Sequence, residues 1–268
     1  MNESRYDKLR TELILQSLRT QYIGKEIIYF ESTDSTNIRA SLLGEKGCEN
    51  GTLVVSETQT NGKGRLGREW FSPQHSNLYF SILLRPSIST QILGWISLAS
   101  GVALSKGINS YTGLESRVKW PNDILVKGKK IGGILIETHI EGSRLSHLVL
   151  GVGINVNMTH FPKAIATLAT SIKKELGHPI QREPLMVHLI EGIERQLEAL
   201  YHTGPESLAD EWKLLSDTIG QEVSVTIGEK AIQGRAIDID PYGALILKKS
   251  DGETTRILAG DVVQLRRI

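Results

Sequence analysis

Thr60-Asn61-Gly62-Lys63-Gly64-Arg65-Leu66-Gly67-Arg68-Glu69-Trp70 sets three glycines and three cations within seven residues and ends on a tryptophan. Glycine lets the backbone take φ > 0 and approach a ligand closely, and the amides it exposes make an anion nest. With the charges of Lys63, Arg65 and Arg68, the stretch reads as a cradle for phosphate or carboxylate. On these residues alone a solvated basic loop is the plainer reading, so the flanking sequence has to decide. Gly62 to Gly67 fits G-x-G-x-x-G, but the dinucleotide-binding form needs a helix directly after the glycines. Trp70-Phe71-Ser72-Pro73 breaks a helix instead. The kinase form needs H-R-D and D-F-G, and the P-loop needs Gly-Lys-Ser/Thr; the chain has neither arrangement. All three common nucleotide folds fail on context.

Outward from the loop, the elements alternate in a mixed order. Upstream, Leu9, Leu13, Ile14 and Leu18 predict a first helix over roughly 5–19, with Ser4 as N-cap and Asp7 three residues on. Ile27 to Phe30 reads as a strand, and Asp34-Ser35-Thr36-Asn37 offers N-cap chemistry for a helix running to about Leu43. Leu53-Val54-Val55 is a buried strand leading into the loop. Downstream, a strand over Asn77 to Leu84 stops at Pro86, and a long helix spans Gln91 to about Tyr111. Val118 to Trp120, Ile124 to Val126 and Ile131 to Glu137 are strands, the last two joined through Lys127-Gly128-Lys129-Lys130. Leu145 to Gly151 pairs next, after a Glu141-Gly142-Ser143 turn. Residues from roughly 184 to 216 read as helical, with Pro184 in a first turn. From Ile219 short alternating strands separated by Gly228-Glu229, Pro241-Tyr242-Gly243 and Asp251-Gly252 predict a small β-barrel.

The chain has 268 residues, 23% charged and 40% hydrophobic, enough for one or two ordinary globular domains. A net charge of +1 gives no broad footprint for nucleic acid or membrane, so any anion site is local. Cys48 is the single cysteine, which excludes an internal disulfide framework and a multi-cysteine metal site. The seven histidines have no ligand spacing, and His139 and His147 flank a hairpin turn where a surface role is expected. No apolar run approaches the ~20 residues needed to span a bilayer, and the N-terminus carries no signal-peptide pattern. A reducing cytoplasm is the expected location.

Three further clusters stand beside the loop: Arg117-Val118-Lys119-Trp120-Pro121-Asn122-Asp123, Lys129-Lys130-Ile131-Gly132-Gly133-Ile134-Leu135-Ile136-Glu137, and Gly151-Val152-Gly153-Ile154-Asn155. Singly they are a turn, a glycine bulge and a twisted strand end. With Asp34-Ser35-Thr36-Asn37 upstream, they closely resemble the biotin–protein ligases. That family is marked by D-S-T-N, a Gln before G-R-G-R-x-G-R, K-W-P-N-D, a lysine before a glycine pair, and G-x-G-I-N. The order here is the family's, from residue 34 to residue 155. One departure is Lys63, which stands where the family has its first arginine and loses the planar, bidentate fork.

The resemblance implies an α+β fold: a mixed, largely antiparallel central sheet with helices, similar to class II synthetases, and a C-terminal SH3-like β-barrel. It implies a ligase domain over 1–217 and the SH3-like domain over 218–268. The implied reaction joins biotin to ATP as biotinyl-5′-adenylate, then transfers biotin to a lysine of a biotin carboxyl carrier protein. Ser35, Thr36, Asn37, Gln59, Lys63, Gly64, Arg65, Lys130 and Gly133 would bind biotin. Gly62, Arg68, Trp70, Lys119, Asn122 and Asn155 would serve ATP, with magnesium on the phosphates and no dedicated metal cage. Lys130, Arg65 and Asp123 are the implied catalytic residues, Asp123 as base for the acceptor lysine or as a carboxylate orienting Lys119. A lipoate or octanoate ligase on the same fold is the nearest alternative. A biotin-sensing repressor is disfavoured, because the 33 residues before the D-S-T-N segment are too few for a helix-turn-helix domain, so no DNA partner is expected. A homodimer through an edge strand is left open.

Overall fold

A computed structural model of the chain describes residues 8–86, 89–142 and 144–265. A seven-stranded mixed sheet forms its centre. Its strands are β1 (Ile27–Phe30), β2 (Leu53–Ser56), β3 (Leu78–Leu84), β4 (Ser116–Lys119), β5 (Asp123–Val126), β6 (Lys129–Glu141) and β7 (Arg144–Ile154). They lie in the order β1-β2-β3-β7-β6-β5-β4, with β1 and β2 parallel and every other pair antiparallel. β3 is buried at all seven positions, which fits its unbroken apolar run and its place between β2 and β7.

Alternation divides the two faces. Leu78, Phe80, Ile82 and Leu84 enter the main core with α3 (Leu93–Thr112) and α5 (Arg182–Thr203). Leu83, Val54 and Val149 point the other way, under α2 (Thr36–Glu45), where Ala40, Leu43 and Cys48 cover them. α3 is apolar nearly all round because it is sandwiched between sheet and helices. Its Gly107 admits α5 closely, since a Cβ there would lie 2.8 Å from Leu189.

Several sequence-based boundaries shift. Among the described residues the first helix is α1 (Thr11–Ser17); the predicted cap at Ser4 and Asp7 lies outside them. Leu9 sits ahead of that helix, its amide bonded to Glu57, which Arg182 also grips in a buried ion pair at 2.8 Å. A short α4 (Ile172–Leu176) has no counterpart in the sequence reading. The predicted helix over 184–216 is two, α5 and α6 (Glu206–Leu215), separated at Gly204-Pro205, where Gly204 has φ 78°. The β5–β6 turn is only Lys127-Gly128, both at positive φ (50° and 73°), so Lys129 and Lys130 belong to the strand.

The second sheet is antiparallel, in the order β11-β10-β9-β8-β12. Its strands are β8 (Glu222–Ile227), β9 (Lys230–Ile239), β10 (Leu245–Lys248), β11 (Thr254–Ile257) and β12 (Asp261–Gln264). It shares one continuous core with the first, and two indoles cross the junction. Trp95 Nε1 donates to Pro241 O and Trp120 Nε1 to Gly243 O, each at 3.0 Å.

Candidate functional site

On the sheet face away from α3, the strands lose their side chains. Gly133 of β6 lies opposite Gly153 of β7, and Leu135 lies opposite Gly151. A Cβ on Gly151 would come 2.0 Å from Asn37 Oδ1, and one on Gly153 would come 2.5 Å from the Trp70 ring. The three glycines therefore make a floor on which Asn37 lies at one end and Trp70 at the other.

The Asn37 end is a buried polar chain. Ser35 occupies the N-cap position of α2, but its side chain makes no cap bond. Instead the Thr36 amide donates to Gln59 Oε1 at 2.8 Å, so Gln59, beyond the end of β2 and bridged to Thr33, caps the helix. Ser81 Oγ lies 2.8 Å from Thr36 Oγ1 and 2.7 Å from Asn37 Oδ1, and its one proton serves one of them at a time. Asn37 Nδ2 donates to Glu137 Oε2 at 2.8 Å. Asp34 accepts from the Ser35 amide at 2.7 Å and pairs with Arg39. Burial pushes the Asp34 carboxyl up, but the bonds from Ser35 and Thr33 and the Arg39 charge hold it below the ordinary range.

The Trp70 end is built by the glycine loop. Gly64 N donates to Arg68 O at 2.7 Å and Trp70 N to Gly62 O at 2.8 Å, folding the stretch into a narrow hairpin. Leu66 (φ 56°) and Gly67 (φ 73°) turn its tip. Arg65 Nη1 donates to both Asn122 Oδ1 (3.2 Å) and Gly260 O (3.3 Å), and Arg68 is chelated by Asp261. Burial draws the Arg65 guanidinium down from its ordinary value, opposed by Asp261 and Asp123. Lys63 pairs with Glu137 at 3.4 Å. Lys130 Nζ sits 2.5 Å from Asp123 Oδ1 and 5.3 Å from the centre of the Trp70 ring. Lys130 and Gly133, three apart, reach the same face because the β5–β6 register shifts after Ile124. Trp70 Nε1 is buried without a partner, a donor whose desolvation costs about 1–3 kcal/mol. The hairpin, Leu135 and Glu137 line an open cleft of about 760 Å³.

Such a surface offers cations, amides and one unpaired indole donor to an anionic ligand. Residues 29–155 match the Biotin/lipoate A/B protein ligase family, and residues 218–264 match the Biotin protein ligase C terminal domain. The biotin--[acetyl-CoA-carboxylase] ligase of Mycobacterium tuberculosis is 34% identical, over 97% of this chain and 98% of its own. The chain belongs to the biotin–protein ligase family. The bifunctional ligase/repressor BirA of Bacillus subtilis is 32% identical, over 95% of this chain and 79% of its own length. Among solved structures, the Aquifex aeolicus biotin protein ligase in complex with biotin and ATP superposes with a TM-score of 0.79. It is 29% identical and covers 91% of this chain and 100% of that one.

Not every residue singled out by the ligase motifs joins this cluster. Asn155 is buried and donates to Thr170 O at 3.1 Å, beside the Lys130 backbone rather than its ammonium. Lys119 is half-buried at the β4 end, and Asp123 is held by Lys130 rather than by Lys119. Three residues around this floor were given no role from the sequence. Glu137 follows Gly133 and Leu135 at strand period and could have been found that way. Ser81 is hidden in an apolar run, and Asp261 comes from the second sheet. His147 is no surface residue: it is buried at 1% exposure, stacks on His139, and has both ring nitrogens unpartnered.

Proposed function

We propose that this ligase activates biotin with ATP and transfers it to a lysine of a biotin carboxyl carrier protein, using the two ends of the glycine floor for the two substrates. The observation carrying this reading is the convergence of Arg65, Asn122, Asp123, Lys130 and Trp70 beside one continuous polar chain from Gln59 to Glu137. In the first step a biotin carboxylate oxygen attacks the α-phosphorus of ATP and pyrophosphate leaves. Two anions must meet, so the demand is for fixed positive charge and orientation rather than a protein nucleophile.

Ser35, Thr36, Asn37 and Gln59 would hold the uncharged end of biotin, and Gly133 would let the strand backbone approach it. Lys63, Gly64 and Arg65 would close over its carboxylate. Lys130, released from Asp123, would bridge that carboxylate and the α-phosphate. Gly62, Arg68, Trp70, Lys119, Asn122 and Asn155 would serve the nucleotide. Magnesium would arrive on the ATP phosphates; among the described residues no group of three or more His, Cys, Asp or Glu side chains could hold a metal. In the second step the acceptor amine attacks the acyl carbon, AMP leaves, and Asp123 would take the amine's proton. We place these steps in the cytoplasm, with the chain divided into domains at 217/218. Among the described residues no helix is long and apolar enough to cross a membrane.

Biotin-dependent exchange of pyrophosphate into ATP tests the reading, with lipoate and octanoate as controls. Exchange with biotin alone is expected, and Lys130→Gln should lower it about 10³-fold. Exchange driven by lipoate or octanoate but not biotin would overturn it.

A further inference from the structure

The hairpin tip carries a residue to which the bond-making and bond-breaking steps above give no role. Leu66 is 71% exposed, and its backbone is left-handed at φ 56°, ψ 36°. Each condition is unfavourable for a leucine: left-handed backbone strains a residue with a Cβ, and a solvated isobutyl group gains nothing from burial. Asparagine or glycine would satisfy both conditions better. A second large apolar side chain, Leu258, is 74% exposed in the turn between β11 and β12, directly after the buried Ile257. The two turns are fastened together. Gly260 O and Asn122 Oδ1 accept from the same Arg65 nitrogen, and Arg68 is chelated by Asp261. The β11–β12 turn therefore stands within two hydrogen-bond lengths of Asn122, the residue before Asp123. Leu66 thus lines the cleft itself, and Leu258 stands two residues before Gly260, in a turn fastened to the same hairpin.

We propose that Leu66 and Leu258 form the docking rim for the acceptor protein. The occupant is a folded acceptor domain presenting its lysine beside apolar side chains. This rests on the two-step ligase reading, which requires a protein lysine to reach Lys130 and Asp123. Continuity with the site argues for that occupant, since a domain delivering its lysine to Asp123 must rest on whatever surrounds it. Burying a solvated leucine side chain against a partner is worth about 1.5–3 kcal/mol. Activation of biotin involves no such partner, so the rim serves the second step alone.

The two half-reactions separate the possibilities. Leu66→Asn and Leu258→Ser are assayed in the full-length protein for biotin-dependent pyrophosphate exchange. Transfer is then assayed to the purified carboxyl carrier domain of acetyl-CoA carboxylase, and to hydroxylamine, which traps the adenylate without docking. Each variant should raise the KM for the carrier domain about tenfold. Exchange and hydroxylamine trapping should stay within about twofold of the parent, because one undocked amine needs no rim. Leu66→Asn should also raise the melting temperature, since it relieves the backbone while weakening acceptor use, a pairing that simple damage to the fold would not produce. An unchanged KM for the carrier in both variants overturns the docking rim. So does a parent protein that sediments as a dimer and is dissociated by the variants without change in carrier KM, which gives the patch to a second copy. Absence of biotin-dependent exchange in the parent itself fails the underlying reading instead.

Discussion

At the Asn37 end of the floor, Thr36, Asn37 and Ser81 are buried and bonded to one another. At the Trp70 end, Lys63, Arg68 and Lys130 keep a third or more of their side chains in solvent, held by single carboxylates. Both ends stand on the same glycines, so the difference lies in what covers them. Buried neutral hydrogen bonds fix a geometry that is costly to disturb. Exposed ion pairs contribute about 0–1 kcal/mol each and exchange readily for another anion. The first end is preorganised for an uncharged polar ligand. The second holds its cations on resident carboxylates, which under the proposed reading a ligand's own anions would replace as the loop closes over the anhydride.

The largest expected effect breaks the rigid end. Gly151→Ala places a methyl where Asn37 Oδ1 now lies, 2.0 Å from the ideal Cβ. Asn37 cannot retreat without leaving Ser81 and Glu137, so stability should fall by about 1–3 kcal/mol in urea denaturation. Biotin affinity by calorimetry should drop further than ATP affinity, about 100-fold against a few-fold. Equal losses for both ligands would mean that the two ends are not built independently.

A smaller effect tests the yielding end. Asp261→Asn removes the carboxylate from Arg68 while keeping the side chain's shape. Because the Arg68 side chain is two-thirds exposed, stability should move by no more than about 0.5 kcal/mol. The ATP concentration giving half-maximal exchange should shift by about two- to fivefold, with the biotin dependence unmoved. A tenfold or greater loss of biotin affinity would show that the latch governs the whole floor.

The contrast also explains what could be read from the chain. The glycine loop, Lys130 and the Asn122-Asp123 pair were legible because their clusters occur together in the order of the ligase family's motifs; each alone reads as a loop, a bulge or a turn. The individual strands and the late β unit followed from strand periodicity and turn residues, and the mixed central sheet from the family resemblance, though α5 and α6 read as one helix and α4 carries too short a pattern to stand out. Ser81 was not legible, since one serine inside Leu78–Leu84 reads as a strand interior until α2 is placed above it. Asp261 was not legible either: its partner Arg68 is almost two hundred residues away, and no local pattern encodes that distance. Lys63, the departure from the family's arginine, finds a single carboxylate oxygen on Glu137, a contact that needs a point charge and not a bidentate fork.

The smallest effect belongs to the far end of the buried region. His147 lies against α2 at Gly44, where a Cβ would come within 2.5 Å of its ring. Burial first, then His139 and Arg85, lowers its pKa from the ordinary value, while Glu45 and Glu141 pull the other way. The unfolded chain takes up this proton near the ordinary histidine value of about 6.5, and the folded protein only at lower pH. Between those values the unfolded state holds more protons, so stability declines as pH falls below about 6.5 and levels off once the folded protein is protonated too. His147→Asn removes the titration. Urea midpoints measured between pH 7.5 and pH 5 should fall more steeply for the parent than for the variant, the two curves converging toward acid. Parallel curves would mean that the ring is solvated in solution and that the polar interior ends before α2 does.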